Sequence, residues 1–517
     1  MDTTGSRLIR NSLFSLFNSL FTMATSWVIS IWIARQLGPT NYGIFSLVLW
    51  ISGTITGIIG MGLIHAVTKF IAEYQGKNEG TGYTPVISFV LRIEVAVTVF
   101  ATVVLIFFKM PVADYFFSPK ESFFIFIAAL GLLPGIITAV FSAAVEGIQK
   151  FEYFTWSNLI ITPCSFTAKI IVLLTGQGVT GLLYVMLIFS LVNMLFYFFV
   201  LRREGFFKPG ESKKLDGDMR HRIQQYNKSQ IAIHLCDKII WDKSENFFLG
   251  RLCKSEEVGF YNLGFNIAQR FISFLPTTLW RVLFPAMSSF YGSGNRKKMR
   301  RLFFLSTRYL AFFTFPVGVA GMILAYQLIH FLYGHQFIAA QRSLQIIFIS
   351  SIVASLSNPA SAVLYGFDKQ SFIYRYGALL AVINITLDIL LIKRYGATGA
   401  AICYGITTVL GSTGGLLYTC RTMHLRYPIV SLCKIAFATI IMGIVMEIII
   451  LQNGELPGFI LSIVAGGVVY LMGSLVLGTF EKEDFHLLQS IKPVCPNFLK
   501  VWIDDFCRFV SLFKPGR

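Results

Sequence analysis

The chain reads as an all-α polytopic membrane protein, and three observations carry that reading. Of its 517 residues, 55% are hydrophobic and 14% charged, against about 25% charged in ordinary soluble proteins. Mean hydropathy is +0.66. Apolar runs recur from end to end, and with roughly 20 apolar residues needed per crossing, about fourteen spans can be drawn. They lie at 12–34, 44–67, 86–108, 122–144, 159–176, 179–201, 230–250, 258–284, 304–325, 339–364, 372–392, 397–420, 429–451 and 457–480.

The pattern excludes several classes. No stretch between spans is long enough for a soluble catalytic domain, and no G-x-x-x-x-G-K-[ST] loop is present to cradle nucleotide phosphates. The eight cysteines are scattered singly, so neither a disulfide framework nor a zinc site is expected. The seven histidines show no metal spacing. The N-terminal run follows Arg7 and Arg10 and has no A-x-A-like cleavage site, so it reads as a retained first span.

Charge sets the topology. The 44 basic and 26 acidic residues leave a net +18, but the bases concentrate in alternate loops, as the positive-inside rule requires. One set of loops holds Lys69 and Lys77, Lys150, the cluster from Arg202 to Lys228, Arg296 to Arg301, Lys369, Arg421 and Arg426. The opposite set is sparse. The expectation is an inner-membrane protein with both termini cytoplasmic and no nucleic-acid partner.

Organisation follows from the polar stretches. The longest, 202–229, divides an N-terminal six-helix lobe (1–201) from a C-terminal one (230–420). Two further helices (421–480) and a cytoplasmic tail (481–517) complete the chain. In the tail Asn497 is placed to cap a helix with Phe498, Trp502, Phe506, Phe509 and Phe513 on one face, the pattern of an interfacial amphipathic helix.

An internal repeat supports the two lobes. Residues 37–45 (LGPTNYGIF) align with 253–261 (CKSEEVGFY) at an offset of 216. Gly178-Val179-Thr180-Gly181 aligns with Gly396-Ala397-Thr398-Gly399 at 218, and 144–147 with 363–366 at 219. Six spans separate equivalent positions, so the repeats are parallel and related by a pseudo-two-fold along the membrane normal. Two bundles facing a central cleft suit alternating access.

The same segments carry a family resemblance. Arg35-Gln36-Leu37-Gly38-Pro39-Thr40-Asn41-Tyr42-Gly43, Gly62 and 69–74 (KFIAEY) are similar to the first two spans of polysaccharide (O-antigen type) flippases of the MOP superfamily. So are 256–262 (EEVGFYN), 284–288 (FPAMS) and 332–337 (LYGHQF) in the second half. The resemblance covers roughly residues 8–420. It implies a MATE-like fold of two six-helix lobes and rocker-type transport of a polyprenyl-diphosphate-linked oligosaccharide for surface polysaccharide biosynthesis. A peptidoglycan-precursor flippase and a multidrug exporter remain alternatives in the same fold, and a glycan polymerase or ligase is the contrasting class. An enzyme of that kind needs a sizeable outer loop, and the outer loops here are short.

Ionisable groups within spans are costly and call for a wet or paired environment. Asn11, Ser15, Asn18, Thr22 and Thr25 share one face of the first span, and Asn262, Asn266, Gln269/Arg270, Ser273, Thr277 and Arg281 do so in the eighth. His234, Lys238 and Asp242 follow the helical period in the seventh. Such stripes also glue helices together through hydrogen bonds, so both readings stand. On the functional one, Arg270, Arg281, Lys238, His234 and Lys169 form a cationic lining for a diphosphate. His65 and Arg281 are equivalent at the 216 offset, at the cytoplasmic end of the cleft. Asn11, Asn18, Thr22, Asn266 and Gln269 supply the polar lining. Coupling carboxylates are sought among Asp242, Glu94 and Asp388, with Glu447 outside the repeat; Asp388 is equivalent to Lys169 at the 219 offset. No cofactor is expected beyond a coupling ion, H+ or Na+. Membrane lipids and polysaccharide-assembly proteins are the other expected partners.

Overall fold

The computed structural model describes residues 3–76, 83–207, 215, 217–225, 227, 244–367 and 369–479, with side chains described from residue 22 onward except at 75, 76, 83, 281, 282 and 370. Among them all regular structure is helical. The first half comprises α1 (Thr3–Ile59), α2 (Leu63–Gly76), α3 (Tyr83–Phe107), α4 (Lys109–Phe116), α5 (Ser122–Gly147), α6 (Glu152–Leu174) and α7 (Gly178–Arg203). The second comprises α8 (Glu245–Leu252), α9 (Ser255–Ile272), α10 (Phe274–Gly292), α11 (Arg296–Ile323), α12 (Ala325–Tyr333), α13 (Gln341–Gly366) and α14 (Gln370–Met423). Helices α15 (Ile429–Asn453) and α16 (Glu455–Val476) follow.

Ten helices among the described residues are long and apolar enough to cross a membrane. Two of them stand for two spans each. Helix α1 has 57 residues, about 86 Å at 1.5 Å per residue, nearly three times the hydrocarbon thickness. It is split where Gly38 takes φ 70°, ψ 172° before Pro39, a conformation that suits glycine. Helix α14 is split in the same way at Gly396, φ 54°, ψ −132°. The seventh expected span lies mostly outside the described residues, as does the tail helix at 498–513.

Two expected spans are not continuous helices. The run 44–67 breaks at Gly60–Gly62, where Gly62 has φ +82°, and α2 begins at Leu63. The run 258–284 breaks between Ile272 and Phe274. Pro276 has no N–H to donate back to the end of α9 and is tolerated in the first turn of a new helix. Apolar composition concealed both breaks.

The repeat is visible in the backbone. Short helices α4 and α12 begin at Lys109 and Ala325, and 3₁₀ turns at Pro119 and His335, in each case 216 residues apart. Helices α2 and α10 end at Gly76 and Gly292, the same separation. Helices α5 and α13 both have 26 residues and end at Gly147 and Gly366. Gly178 and Gly396 share φ +54°.

Packing divides the chain into two compact units. One holds residues 1–262, 332–339 and 377–400; the other holds 263–331, 340–376 and 401–517. In the first, Phe70, Ile71, Val86, Ile87, Val140 and Phe141 form a core joined by Met219 and Ile223 from the helical stretch at 217–225. In the second, α15 and α16 pack through Ala438, Met442, Met446 and Tyr470 against Leu324 and Phe312. The Tyr470 hydroxyl donates to the Phe312 carbonyl at 2.6 Å. Large side chains such as Phe100 (71% exposed) and Leu451 (77%) lie outward, the surface a lipid phase would cover.

Candidate functional site

The first unit contains a crossing between the two repeats. A Cβ built on Gly43 would lie 1.7 Å from the Ser255 carbonyl oxygen and 3.1 Å from the Gly259 nitrogen. One on Gly259 would lie 2.6 Å from the Pro39 oxygen and 3.3 Å from the Gly43 nitrogen. Gly43 and Gly259 are themselves equivalent under the 216 offset, so each meets its own repeat mate, as positions on a two-fold must. Thr40 and Glu256 form a second such pair: the Thr40 hydroxyl donates to Glu256 Oε1 at 3.0 Å. Only glycine permits this approach of two helix backbones. Tyr42 and Phe260 both meet the edge of Phe337, at ring-centroid distances of 5.9 and 6.4 Å. Gln336 Nε2 donates to the Arg35 carbonyl at 3.3 Å, and the Ala397 N–H donates to Glu257 Oε2 at 2.7 Å, capping the second arm of α14.

A buried polar cluster lies in the same unit. Glu245, Asn246, Asn262, Asn384 and Asp388 are all 3% exposed or less. The Ser244 hydroxyl donates to Asn384 Oδ1 at 2.8 Å, Asn384 Nδ2 to Glu245 Oε1 at 3.4 Å, and Asn262 Nδ2 to Asn246 Oδ1 at 2.8 Å. Asp388 follows Asn384 by one helical turn. Asn262, the first residue of the eighth-span stripe, is therefore structural glue. Lys169, the repeat equivalent of Asp388, is half-buried on α6 and makes no ion pair with it. Glu94 on α3 is 1% exposed, and neither carboxylate oxygen has a hydrogen-bond partner. Burial of an unpaired carboxyl is costly. Thr22 is half-buried on α1; Asn11 and Asn18 lie on the same helix, their side chains outside the described residues.

In the second unit the stripe of α9 divides. Gln269 Nε2 donates to the Tyr404 hydroxyl at 2.7 Å and Gln269 accepts from Ser273 at 2.5 Å, so it is tied to the helix packing. Asn266 is half-buried beside it. Arg270 is half-buried and its Nη1 is buried with no hydrogen-bond partner among the described residues. A guanidinium nitrogen in that position can receive an anionic oxygen. The structure thus ties Gln269 and Asn262 into helix packing, whereas Arg270 keeps a guanidinium nitrogen without a hydrogen-bond partner among the described residues. His234, Lys238 and Asp242 lie outside the described residues, as does the Arg281 side chain.

Two features escaped sequence reasoning. Asn384 takes part in the buried cluster, and the Asn384-x-x-x-Asp388 spacing on one helical face was the available signal. Arg308, only 3% exposed on α11, sits over the Tyr309 ring at 5.3 Å; a single arginine inside a span was its only sequence mark.

These features define a polytopic helical membrane protein of repeated architecture, with a polar interior. The family model described as "Polysaccharide biosynthesis protein" matches residues 32–342, and the chain belongs to that family. It is 22% identical over 478 residues to the probable flippase AglR of Haloferax volcanii, covering 90% of this chain and 94% of that one. It is 25% identical to an uncharacterized membrane protein in the cps region of Klebsiella pneumoniae, over 42% of this chain and 45% of that one. Among solved structures, the inward closed conformation of the lipid II flippase MurJ superposes with a TM-score of 0.72 at 15% identity, covering 90% of this chain and 98% of that one. An inward-facing multidrug resistance MATE transporter of the MOP superfamily gives 0.64 at 15% identity over 78% and 94%. The fold is that of the MOP superfamily.

Proposed function

We propose that this protein is a flippase that moves a polyprenyl-diphosphate-linked oligosaccharide from the cytoplasmic to the outer leaflet of the inner membrane, for surface polysaccharide assembly. The observation that carries the reading is the self-matched crossing at Gly43 and Gly259 within a MOP-type fold. Repeats that meet at their own equivalents have the symmetry that alternating access uses. Membership of a family described as "Polysaccharide biosynthesis protein" supports a glycan cargo. Arg270 is suited to a diphosphate oxygen, with Arg281 and Lys238 as further bases. Glu94 and the cluster around Asp388 are the candidate coupling groups, for H+ or Na+, with Asp242 shortly before Glu245 in sequence. Both termini are cytoplasmic on this reading, and the chain transports rather than catalyses.

A peptidoglycan-precursor flippase shares the fold and the diphosphate. A deletion strain separates these readings through its lipid-linked glycans. Loss of this flippase strands single oligosaccharide units on the cytoplasmic leaflet, inaccessible to an external glycan-modifying enzyme. Exported but unpolymerised units would instead indicate a polymerase, and accumulation of peptidoglycan precursor would indicate the alternative cargo.

A further inference from the structure

The two repeats differ at the end that carries most of their basic residues. In the first half two of the cations there, Lys150 and Arg222, are neutralised internally. Lys150 Nζ is paired with Glu204, which also accepts from the Tyr153 hydroxyl at 2.5 Å. Arg222 binds Glu73 in bidentate fashion at 3.1 and 2.8 Å. The repeat offsets give the equivalent positions in the second half. Lys150 corresponds to Lys369, but Tyr153 becomes Phe372, Glu204 falls on Thr422 or Met423, and Glu73 becomes Ser289. Glu146 and Glu152 become Tyr365 and Ser371. Every acid is gone while the lysine stays. Phe372 instead stacks on Tyr418 at 3.7 Å.

Bases have been added as well. Arg296, Lys297, Lys298, Arg300 and Arg301 open α11, and all five are exposed around the buried Met299. Its first turn has no acid, so these cations oppose the helix dipole, with Asn295 Oδ1 accepting from the Lys298 N–H at 3.1 Å as the cap. Lys369, Arg421 and Arg426 are exposed too. One apolar cluster of Met299, Phe303, Phe367 and Leu425 joins the three segments that bear these bases. Tyr291 meets Phe367 at 5.0 Å and Phe303 meets Tyr427 at 6.3 Å. Asp368 is the one acid in these segments by sequence and lies outside the described residues.

We propose that this rim of the second repeat, where the acids paired in the first repeat have no counterpart, is a binding surface for anionic phospholipid headgroups. Topology alone would ask both repeats for positive charge, but it would not strip the acids from one of them. Eight exposed bases spread over three segments fit several singly charged headgroups better than one diphosphate in a pocket. Exposed Tyr291, Ile429 and Val430 flank them in sequence, placed to enter the bilayer interface as the bases meet phosphate. The leaflet involved rests on the topology under the proposed function; the binding itself does not.

The test uses the purified full-length protein in a zwitterionic detergent, with phosphatidylglycerol or phosphatidylcholine added and bound lipid counted by native mass spectrometry. The wild type should prefer phosphatidylglycerol. Arg296→Gln/Lys297→Gln/Lys298→Gln/Arg300→Gln should reduce that preference by at least about tenfold, and Lys369→Gln/Arg426→Gln should reduce it in the same direction. Arg202→Gln/Arg203→Gln on the first repeat should change it little. Retention of the wild-type preference by both rim variants, or an equal loss in the first-repeat variant, overturns the proposal. So does a loss of polyprenyl diphosphate binding in both rim variants while phosphatidylglycerol binding stays at the wild-type level, which would assign the surface to the cargo. No transport is measured, so a negative result here leaves the flippase reading standing.

Discussion

Replacing Gly43 with alanine puts a methyl group where two helix backbones already touch. Its Cβ would sit 1.7 Å from the Ser255 carbonyl oxygen, against 3.4 Å or more in ordinary contact. The crossing must open by about 1.5 Å, and overpacking of this kind costs about 1–3 kcal/mol. The obstacle is backbone, not a side chain that can swing aside. Alanine also favours a helix over glycine by up to about 1 kcal/mol, but that gain applies whether or not the crossing is closed. The differential cost therefore falls on the closed crossing. At 1.4 kcal/mol per factor of ten, its population relative to an open form drops about 5- to 140-fold. Gly259→Ala, with its nearest obstacle at 2.6 Å, should act in the same direction and less strongly.

Closure can be read chemically. In a background without native cysteines, Thr40→Cys/Glu256→Cys reports it, since the native side chains meet at 3.0 Å. Adding Gly43→Ala should slow disulfide formation at least about fivefold and depress transport. Gly53→Ala is the control: it lies on the same helix with open space at its Cβ and should leave both readouts intact. If Gly43→Ala cross-links and transports as the wild type does, the crossing is incidental packing and plays no part in the cycle.

Three further outcomes are expected. Arg270→Ala should cut transport about 10- to 100-fold at unchanged expression, from loss of a charged hydrogen bond of about 1.5–3 kcal/mol; Arg270→Lys should recover only part because the planar fork is lost, and wild-type flux in the alanine variant would rule out substrate contact. Asp388→Asn should abolish the dependence of flux on a proton or sodium gradient, and an unaltered dependence on both would exclude the buried cluster from coupling. Burial alone would push the Glu204 carboxyl up, but hydrogen bonds from Lys150 and Tyr153, with the charges of Lys150 and Arg203, hold it below its usual value. A depressed carboxyl stabilises the fold above its unfolded pKa, about 4.3, and that contribution is lost as pH falls through the lower folded value. Glu204→Gln should therefore lower the melting midpoint near pH 7 and flatten its fall on acidification; an acid profile identical to the wild type would show the ion pair to be inert.

How far the sequence could be read depended on whether a residue's role is set along the chain or across it. Hydropathy located the long apolar helices, because lipid demands apolar length whatever the neighbours are. The repeat offsets anticipated more than intended. The segments 37–45 and 253–261, similar as strings, face each other at Gly43 and Gly259. Short helices α4 and α12 were not anticipated, since eight or nine residues are too few to register as spans. The breaks near Gly62 and Pro276 were hidden for the opposite reason, because both sides of each break are apolar. Polar stripes were the hardest to interpret. Gln269 and Arg270 are adjacent in the same stripe, yet Gln269 is spent on Tyr404 and Ser273 while an Arg270 nitrogen stays without a partner. Nothing in the helical period separates them, because the difference lies in Tyr404, 135 residues away. The same holds for the acids of the two rims. Lys150 and Lys369 look alike in sequence until Glu204 is found against one and no acid at the equivalent place in the other. Once the offsets are trusted, divergence between repeats becomes the more informative signal: symmetry accounts for the crossing at Gly43 and Gly259, and positions where it fails, such as Glu204 against Thr422 or Met423, distinguish the two halves.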